Sequence, residues 1–201
     1  MPCKLYDWMA SMRCACIREK CKIIRFCNEI YKASAVFHDD SLLELSAEDK
    51  KTGEIPFYLH FEVREEETAR DNVQAFFNFL RDQNHANESL DVEAVKNRHP
   101  MRILVSCSSG FTSSYFAHSI EDASKEAGIE VTVHGASYTE IDKIQELYDY
   151  ILTAPQIVYK LQEYREKYGD KMIAVDSRTF ATYDANRILN QIVHRDGTRV
   201  A

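Results

Sequence analysis

No stretch of this 201-residue chain approaches the roughly 20 unbroken apolar residues that a bilayer-spanning helix requires. The segment from Met1 to Lys22 is interrupted by Asp7, Arg13, Arg18, Glu19 and Lys20, which excludes the apolar heart of a secretory signal. Positive charge is also in short supply. The formal net charge is -7, whereas a surface built to neutralise nucleic-acid phosphates would be basic. A soluble, cytoplasmic protein is therefore the expectation, with nucleic acid disfavoured as a partner. There is no internal repeat and no low-complexity tract. Paired C-x2-C knuckles are missing as well. Six cysteines occur, and Cys3, Cys14, Cys16, Cys21 and Cys27 crowd the amino-terminal end without the paired knuckles of a zinc site, so a structural zinc or disulfide is the lesser reading. On a helix, Cys14 and Cys21 would share one face, as would Cys16 and Cys27. The histidines form no cluster, so no metal is expected, and free, partly buried thiols are the reading for these five cysteines. Cys107 stands apart from them.

What is present falls into two halves. Between Asp7 and Tyr31, the residues Ile23, Ile24, Cys27, Ile30 and Tyr31 form an apolar stripe at helical spacing, which predicts a helix. From Ala35 to Val63 the period shortens to two. Leu43 and Leu45 alternate with polar residues, Glu48 to Gly53 reads as a turn, and Phe57, Leu59, Phe61 and Val63 alternate again, which predicts a hairpin with one dry face. Glu65 to Asp82 reads as a helix carrying Val73, Phe76, Phe77 and Leu80 on one side. The polar run from Gln83 to Pro100 reads as a linker or short exposed helix, with a boundary near Asn97 to Pro100. Residues 1–97 are thus expected to form a small α+β domain and residues 101–201 a second one.

In that second half, short apolar strands alternate with helices. Arg102 to Val105, Ile129 to Val133, Tyr148 to Thr153 and Met172 to Val175 read as strands. Helices are predicted at Thr112 to Ala127, Glu140 to Leu147, Pro155 to Gly169 and Asp184 to His194. That order implies an α/β fold, a four-stranded parallel sheet with helices on both faces, whose ligands bind where loops leave the carboxyl ends of the strands.

The loop after the first of these strands carries the chemistry. Cys107 is followed by Ser108, Ser109, Gly110, Phe111, Thr112 and Ser113, small or hydroxylated residues for the most part, leading into a helix. Amides at such a turn and the helix terminus favour an anion, and the same field lowers a thiol's pKa. Hydroxyls of Ser108, Ser109, Thr112 and Ser113 add donors for phosphate oxygens. A low-molecular-weight tyrosine phosphatase uses a similar loop but places Arg six residues beyond its Cys. Here that position is Ser113, and no Lys or Arg occurs from Ser106 to Ser124. The reading tilts from hydrolase toward carrier.

The segment from Met101 to Val193 resembles the IIB component of the lactose/cellobiose class of the bacterial phosphoenolpyruvate-dependent sugar phosphotransferase system. The resemblance rests on three motifs in order: ILVSCSSGFTSS, the run from Asp149 to Tyr159 (DYILTAPQIVY), and Ala174 to Arg178 (AVDSR). It covers the second half and none of the first, and it implies a fold similar to the phosphatase's. It implies further that Cys107 accepts a phosphoryl group from a phosphohistidine on a IIA protein and passes it to sugar at a IIC membrane permease. Ser108 to Ser113 would hold the phosphate, while Pro155, Gln156 and Tyr159 would lie beside that loop; no cofactor or metal is implied. Phe111 stands where the family has Met, and Ala154 where it has Gly. The second reading is a IIB-like regulatory module whose phosphorylation controls the amino-terminal domain or a transcriptional partner. That domain suits homodimerisation or docking, and its aromatic run Phe76, Phe77 and Phe79 reads as core or a dimer face.

Overall fold

The computed structural model describes residues 2–12, 15–19, 22–38, 41–82, 88–96 and 100–197. The chain folds as two compact units, Met1–His85 and Ala86–Ala201.

In the first unit, helix α1 (Pro2–Ala10) precedes five strands and helix α2 (Glu66–Arg81) follows them. The strands β1 (Ala15–Glu19), β2 (Ile23–Phe26), β3 (Tyr31–Phe37), β4 (Leu42–Asp49) and β5 (Phe57–Glu62) form an antiparallel meander in chain order. The predicted hairpin and the helix after it are present as β4, β5 and α2. The apolar side of the sheet packs against α2, where Phe57 lies 5.3 Å from Phe76 and 5.1 Å from Phe79, ring centre to ring centre. All three rings are buried, along with Leu43, Leu45 and Leu59.

The helix expected from Asp7 to Tyr31 is not formed. α1 ends at Ala10, and Ile23–Phe26 is a strand paired with Ala33 to Val36. Ile24 and Phe26 are buried while Arg25 is exposed, a period of two, and Ile30 is 42% exposed, so the supposed stripe is divided. Asn28 sets the turn between strands. Its Oδ1 accepts from the amides of Ile30 and Tyr31 at 2.9 and 3.0 Å, and its Nδ2 donates to the Leu80 carbonyl. A side chain that replaces backbone partners locally ends any helix there. Cys27 is disulfide-bonded, against the expectation of free thiols, because spacing along the chain does not report how cysteines approach in a fold. The shared helix face expected for Cys14 and Cys21 lies outside the described residues.

In the second unit, β6 (Met101–Cys107), β7 (Val131–Ser137), β8 (Tyr150–Thr153) and β9 (Met172–Ala174) form a parallel sheet in the order β7-β6-β8-β9. Helices α4 (Phe111–Glu126), α5 (Ile141–Ile144), α6 (Leu161–Tyr168), α7 (Ser177–Ala181) and α8 (Ala185–Gly197) connect and follow the strands, after the short α3 (Val92–Lys96). Leu104 joins a buried cluster with Ile141, Tyr148, Ile151, Tyr164 and Met172. Its neighbours Ile103 and Val105, also buried, point to the opposite face of the strand. The second strand begins at Val131 and not at Ile129, since Gly128 and Ile129 still close α4 through bonds to Lys125 and Ser124. The segment from Pro155 starts as a 3-10 helix to Lys160, kinked at Ile157, before α6. α7 was not anticipated.

The polar segment before Met101 is not slack. Asn190 of α8 accepts from the Asp91 amide at 2.8 Å and donates to Glu88 Oε1 and the Ser89 carbonyl, tying residues 88–91 to this unit. The boundary expected near Asn97 to Pro100 falls partly outside the described residues; the division between the two compact units lies earlier, between His85 and Ala86. Among the described residues, no helix is long and apolar enough to cross a membrane.

Candidate functional site

Cys107 is the last residue of β6, the central strand flanked by β7 and β8. Strand pairing sets Cys107 beside Ser137 and Ser106 beside Thr153, so loops from three parallel strands leave the sheet around one thiol. Gly110 makes the turn into α4. Its φ of +86° lies in the left-handed region, and a Cβ there would meet the Ser137 amide nitrogen at 3.1 Å and the Ala136 carbonyl carbon at 3.3 Å. Gly135 allows a still closer approach. A Cβ on it would stand 2.4 Å from the Ser114 amide nitrogen, so only glycine lets α4 seat its first turn against β7.

The thiol is fully buried. Its Sγ accepts from the Gly110 amide at 3.2 Å and from the Thr112 hydroxyl at 3.4 Å, and it donates to Ser113 Oγ at 3.3 Å. The Ser113 hydroxyl in turn reaches the carbonyls of Gly110 (2.9 Å) and Ala136 (3.3 Å). Burial works to raise the thiol's pKa. Hydrogen bonding with the Ser113 side chain, whose hydroxyl can turn to donate to an ionised sulfur, and from the Thr112 hydroxyl, then from the Ser113 and Ser109 amides, outweighs that and holds it below the usual range. The lowering thus comes from neutral donors alone. Among the described residues, no group of His, Cys, Asp and Glu could hold a metal ion.

The remaining residues of the loop differ in exposure. Ser108 and Ser109 face solvent, and the Ser108 carbonyl accepts from the Ser137 hydroxyl at 3.1 Å. Thr112 and Ser113 are buried. Phe111 is 65% exposed and meets Tyr115 edge to face at 5.1 Å, giving an apolar ridge beside the loop.

The second loop leaves β8 through Ala154, whose amide donates to the Ser106 carbonyl at 2.9 Å, and Pro155–Lys160 packs against β6. Pro155 and Gln156 are buried there, and Tyr159 is partly exposed. Asp176 caps α7, accepting from the amide and the hydroxyl of Thr179 at 3.0 and 2.6 Å. Asp149, within the second motif, accepts from the Arg102 amide at 2.8 Å and from its guanidinium at 2.9 Å, near the amino ends of β6 and β8 and away from Cys107. Sequence reasoning passed over Gly135 and Ser137, because the glycine's role exists only where a helix crosses the strand and the serine's only where two loops meet.

Residues 102–191 match the family model of the lactose/cellobiose-specific IIB subunit of the phosphotransferase system. The match takes in the sheet, Cys107 and the second loop, and none of the first unit. Among solved structures, the chain is similar to the lactose-specific IIB component domain from Streptococcus pneumoniae. The identity is 22% and the TM-score 0.43, over 48% of this chain and 97% of that one. It is similar also to a cellobiose-specific IIB component from Borrelia burgdorferi, at 22% identity and a TM-score of 0.43, over 49% of this chain and 93% of that one. No curated protein matches the chain.

Proposed function

Taking the IIB domain at residues 102–191 as premise, we propose that this protein is a cytoplasmic phosphoryl carrier of a phosphoenolpyruvate-dependent sugar phosphotransferase system, with Cys107 as acceptor. The observation that carries the reading is a buried thiol bonded to hydroxyls and amides that lower its pKa, in a loop without Lys or Arg. The Cys107 thiolate attacks phosphorus of a phosphohistidine on a IIA protein. The S–P bond forms, the P–N bond breaks, and the electron pair stays on the imidazole nitrogen. The proton lost by the thiol is balanced by the one the imidazole takes up. The amides and hydroxyls of Ser108 to Ser113 then hold the phosphoryl oxygens. In the second transfer, at a IIC permease, a sugar hydroxyl displaces the thiolate. An arginine clamp would stabilise attack by water too; its absence favours a phosphocysteine that persists until its acceptor arrives.

Intact mass after incubation with phosphoenolpyruvate, the general phosphotransferase proteins and a panel of IIA partners tests this. One phosphoryl adduct, absent in Cys107→Ser, is expected. A folded protein that takes up none from any partner overturns the carrier.

One observation favours a second reading. The first unit has its own core and lies wholly outside the family match. A IIB-like regulator, homodimeric through that unit, would use phosphorylation of Cys107 to report sugar flux. Transport loss in a deletion strain without a transcriptional change sinks this reading.

A further inference from the structure

Two polar side chains next to the Cys107 loop have no partner. Ser106 Oγ, one residue before the thiol, is fully enclosed without a hydrogen bond. More telling is Gln156, 7% exposed, whose Nε2 and Oε1 are both enclosed and both unbonded. A buried amide stripped of hydrogen bonds carries a cost that packing does not return, so such a group points to a partner that arrives in another state of the protein. The chain presents it at a telling place. Gln156 is two residues past Ala154, whose amide is bonded to the Ser106 carbonyl, in the segment packed on β6 where that strand ends in Cys107. Pro155 fixes the backbone just before it, and the following residue, Ile157, is fully buried, so the amide is held between two anchored neighbours.

We infer that Gln156 is a positioning residue for the phosphoryl group, its Nε2 donating to an oxygen of the tetrahedral dianion from the second loop. This inference rests on the carrier reading and deepens it. The cradle supplies donors from one loop only, and that loop carries no Lys or Arg. A carboxamide from the second loop completes the ring of donors without adding charge. That matters for a carrier, because a cationic clamp would also hold the dianion too firmly to hand on. Transfer itself is unaltered in its balance: the S–P bond forms as the P–N bond breaks, and Gln156 neither gains nor loses a proton.

The test uses the full-length protein and inorganic phosphate as probe, so that it does not depend on any IIA partner. Titration is followed by the side-chain amide resonance of Gln156 and by the backbone amides of Ser109 to Ser113. Phosphate should shift both sets with one common affinity. Gln156→Leu should weaken that affinity about ten- to a hundredfold, the range for losing a hydrogen bond to a charged group. The pH midpoint of Cys107 alkylation should stay unchanged in that variant, since the thiolate's own donors are intact, and Gln156→Asn should restore part of the binding. A wild-type Gln156 resonance that ignores phosphate while the loop amides respond overturns the inference and leaves the carrier standing. So does an unweakened Gln156→Leu, and so does phosphate that shifts neither set. If the variant does not fold, the wild-type resonance alone decides. Failure of the carrier would show separately, as absence of the phosphoryl adduct.

Discussion

The two units of this chain solve opposite problems with sheets of five and four strands. The first is a meander in which each strand pairs with the next in sequence, and open cavities of about 900 and 460 Å³ border its β2–β3 turn around Phe26, Cys27 and Asn28. The second is a parallel sheet whose neighbours are brought together by crossovers, and its Cys107 thiol sits fully buried at the end of the central strand. Cavity volume therefore does not mark the proposed site. A thiolate site is made from converging donors, and convergence at the carboxyl ends of parallel strands is what the second topology provides and the first does not.

That contrast breaks or sharpens under four substitutions. The largest effect should come from Phe57→Ala in the first unit, which empties the contact with Phe76 and Phe79 and should cost about 4 kcal/mol. Denaturant unfolding followed by circular dichroism checks it; a loss under about 1 kcal/mol would show that this core is not closed as described. Next is Gly135→Ala, whose methyl group would sit 2.4 Å from the Ser114 amide nitrogen. Separating α4 from β7 should cost about 3 kcal/mol. It should also raise the midpoint of Cys107 alkylation by drawing Ser113 away from the sulfur, so one substitution in the second unit should show in both stability and reactivity.

Asp149→Asn should be milder, roughly 1 kcal/mol, since the half-exposed pair with Arg102 is screened by water. The guanidinium of Arg102 is the main cause of the lowered Asp149 pKa, with its amide adding to it. A carboxylate whose pKa is lower folded than unfolded stabilises above its unfolded pKa and loses that contribution as pH falls through the folded one. The difference between wild type and variant should accordingly vanish in acid, as melting across pH will read. The smallest effect on stability belongs to Thr112→Val. It removes one donor to the Cys107 sulfur, so the alkylation midpoint should rise toward that of a free thiol, slowing modification at neutral pH. Cys107 obeys the same sign: its lowered pKa adds stability fully above the unfolded thiol's pKa, lost as pH falls through the folded value. A midpoint that Thr112→Val leaves in place would mean that Ser113 and the amides set it without Thr112.

Legibility differed between the units for a physical reason. In the second unit, helix and strand periods, Gly128 as a stop and Pro155 as a start announced a β/α order that the structure keeps, with shifts of a few residues at the second strand. The Cys107 loop was readable because the donors around its sulfur come from small and hydroxylated residues in a contiguous run. In the first unit, Ile23, Ile24, Cys27, Ile30 and Tyr31 fit a helical period by coincidence. β-Branched residues can serve either element, and the choice fell to cross-strand partners Ala35 and Val36, about ten residues along, and to the Asn28 turn.

By itself, then, the sequence determined the alternating α/β order of residues 101–197, the hairpin and helix of the first unit, and the thiol with its run of hydroxyls, all properties carried by neighbours along the chain. Tertiary structure decided what only distant residues settle together. It made β2 a strand, bonded Cys27 into a disulfide, pinned residues 88–91 to Asn190, and assigned Asp149 to Arg102 and Asp176 to a helix cap. It also drew α4 over Gly135 to place the hydroxyls on Cys107 and left the Gln156 amide without a partner. Burial and hydrogen-bond valence are properties of surroundings, and surroundings exist only once the chain has folded.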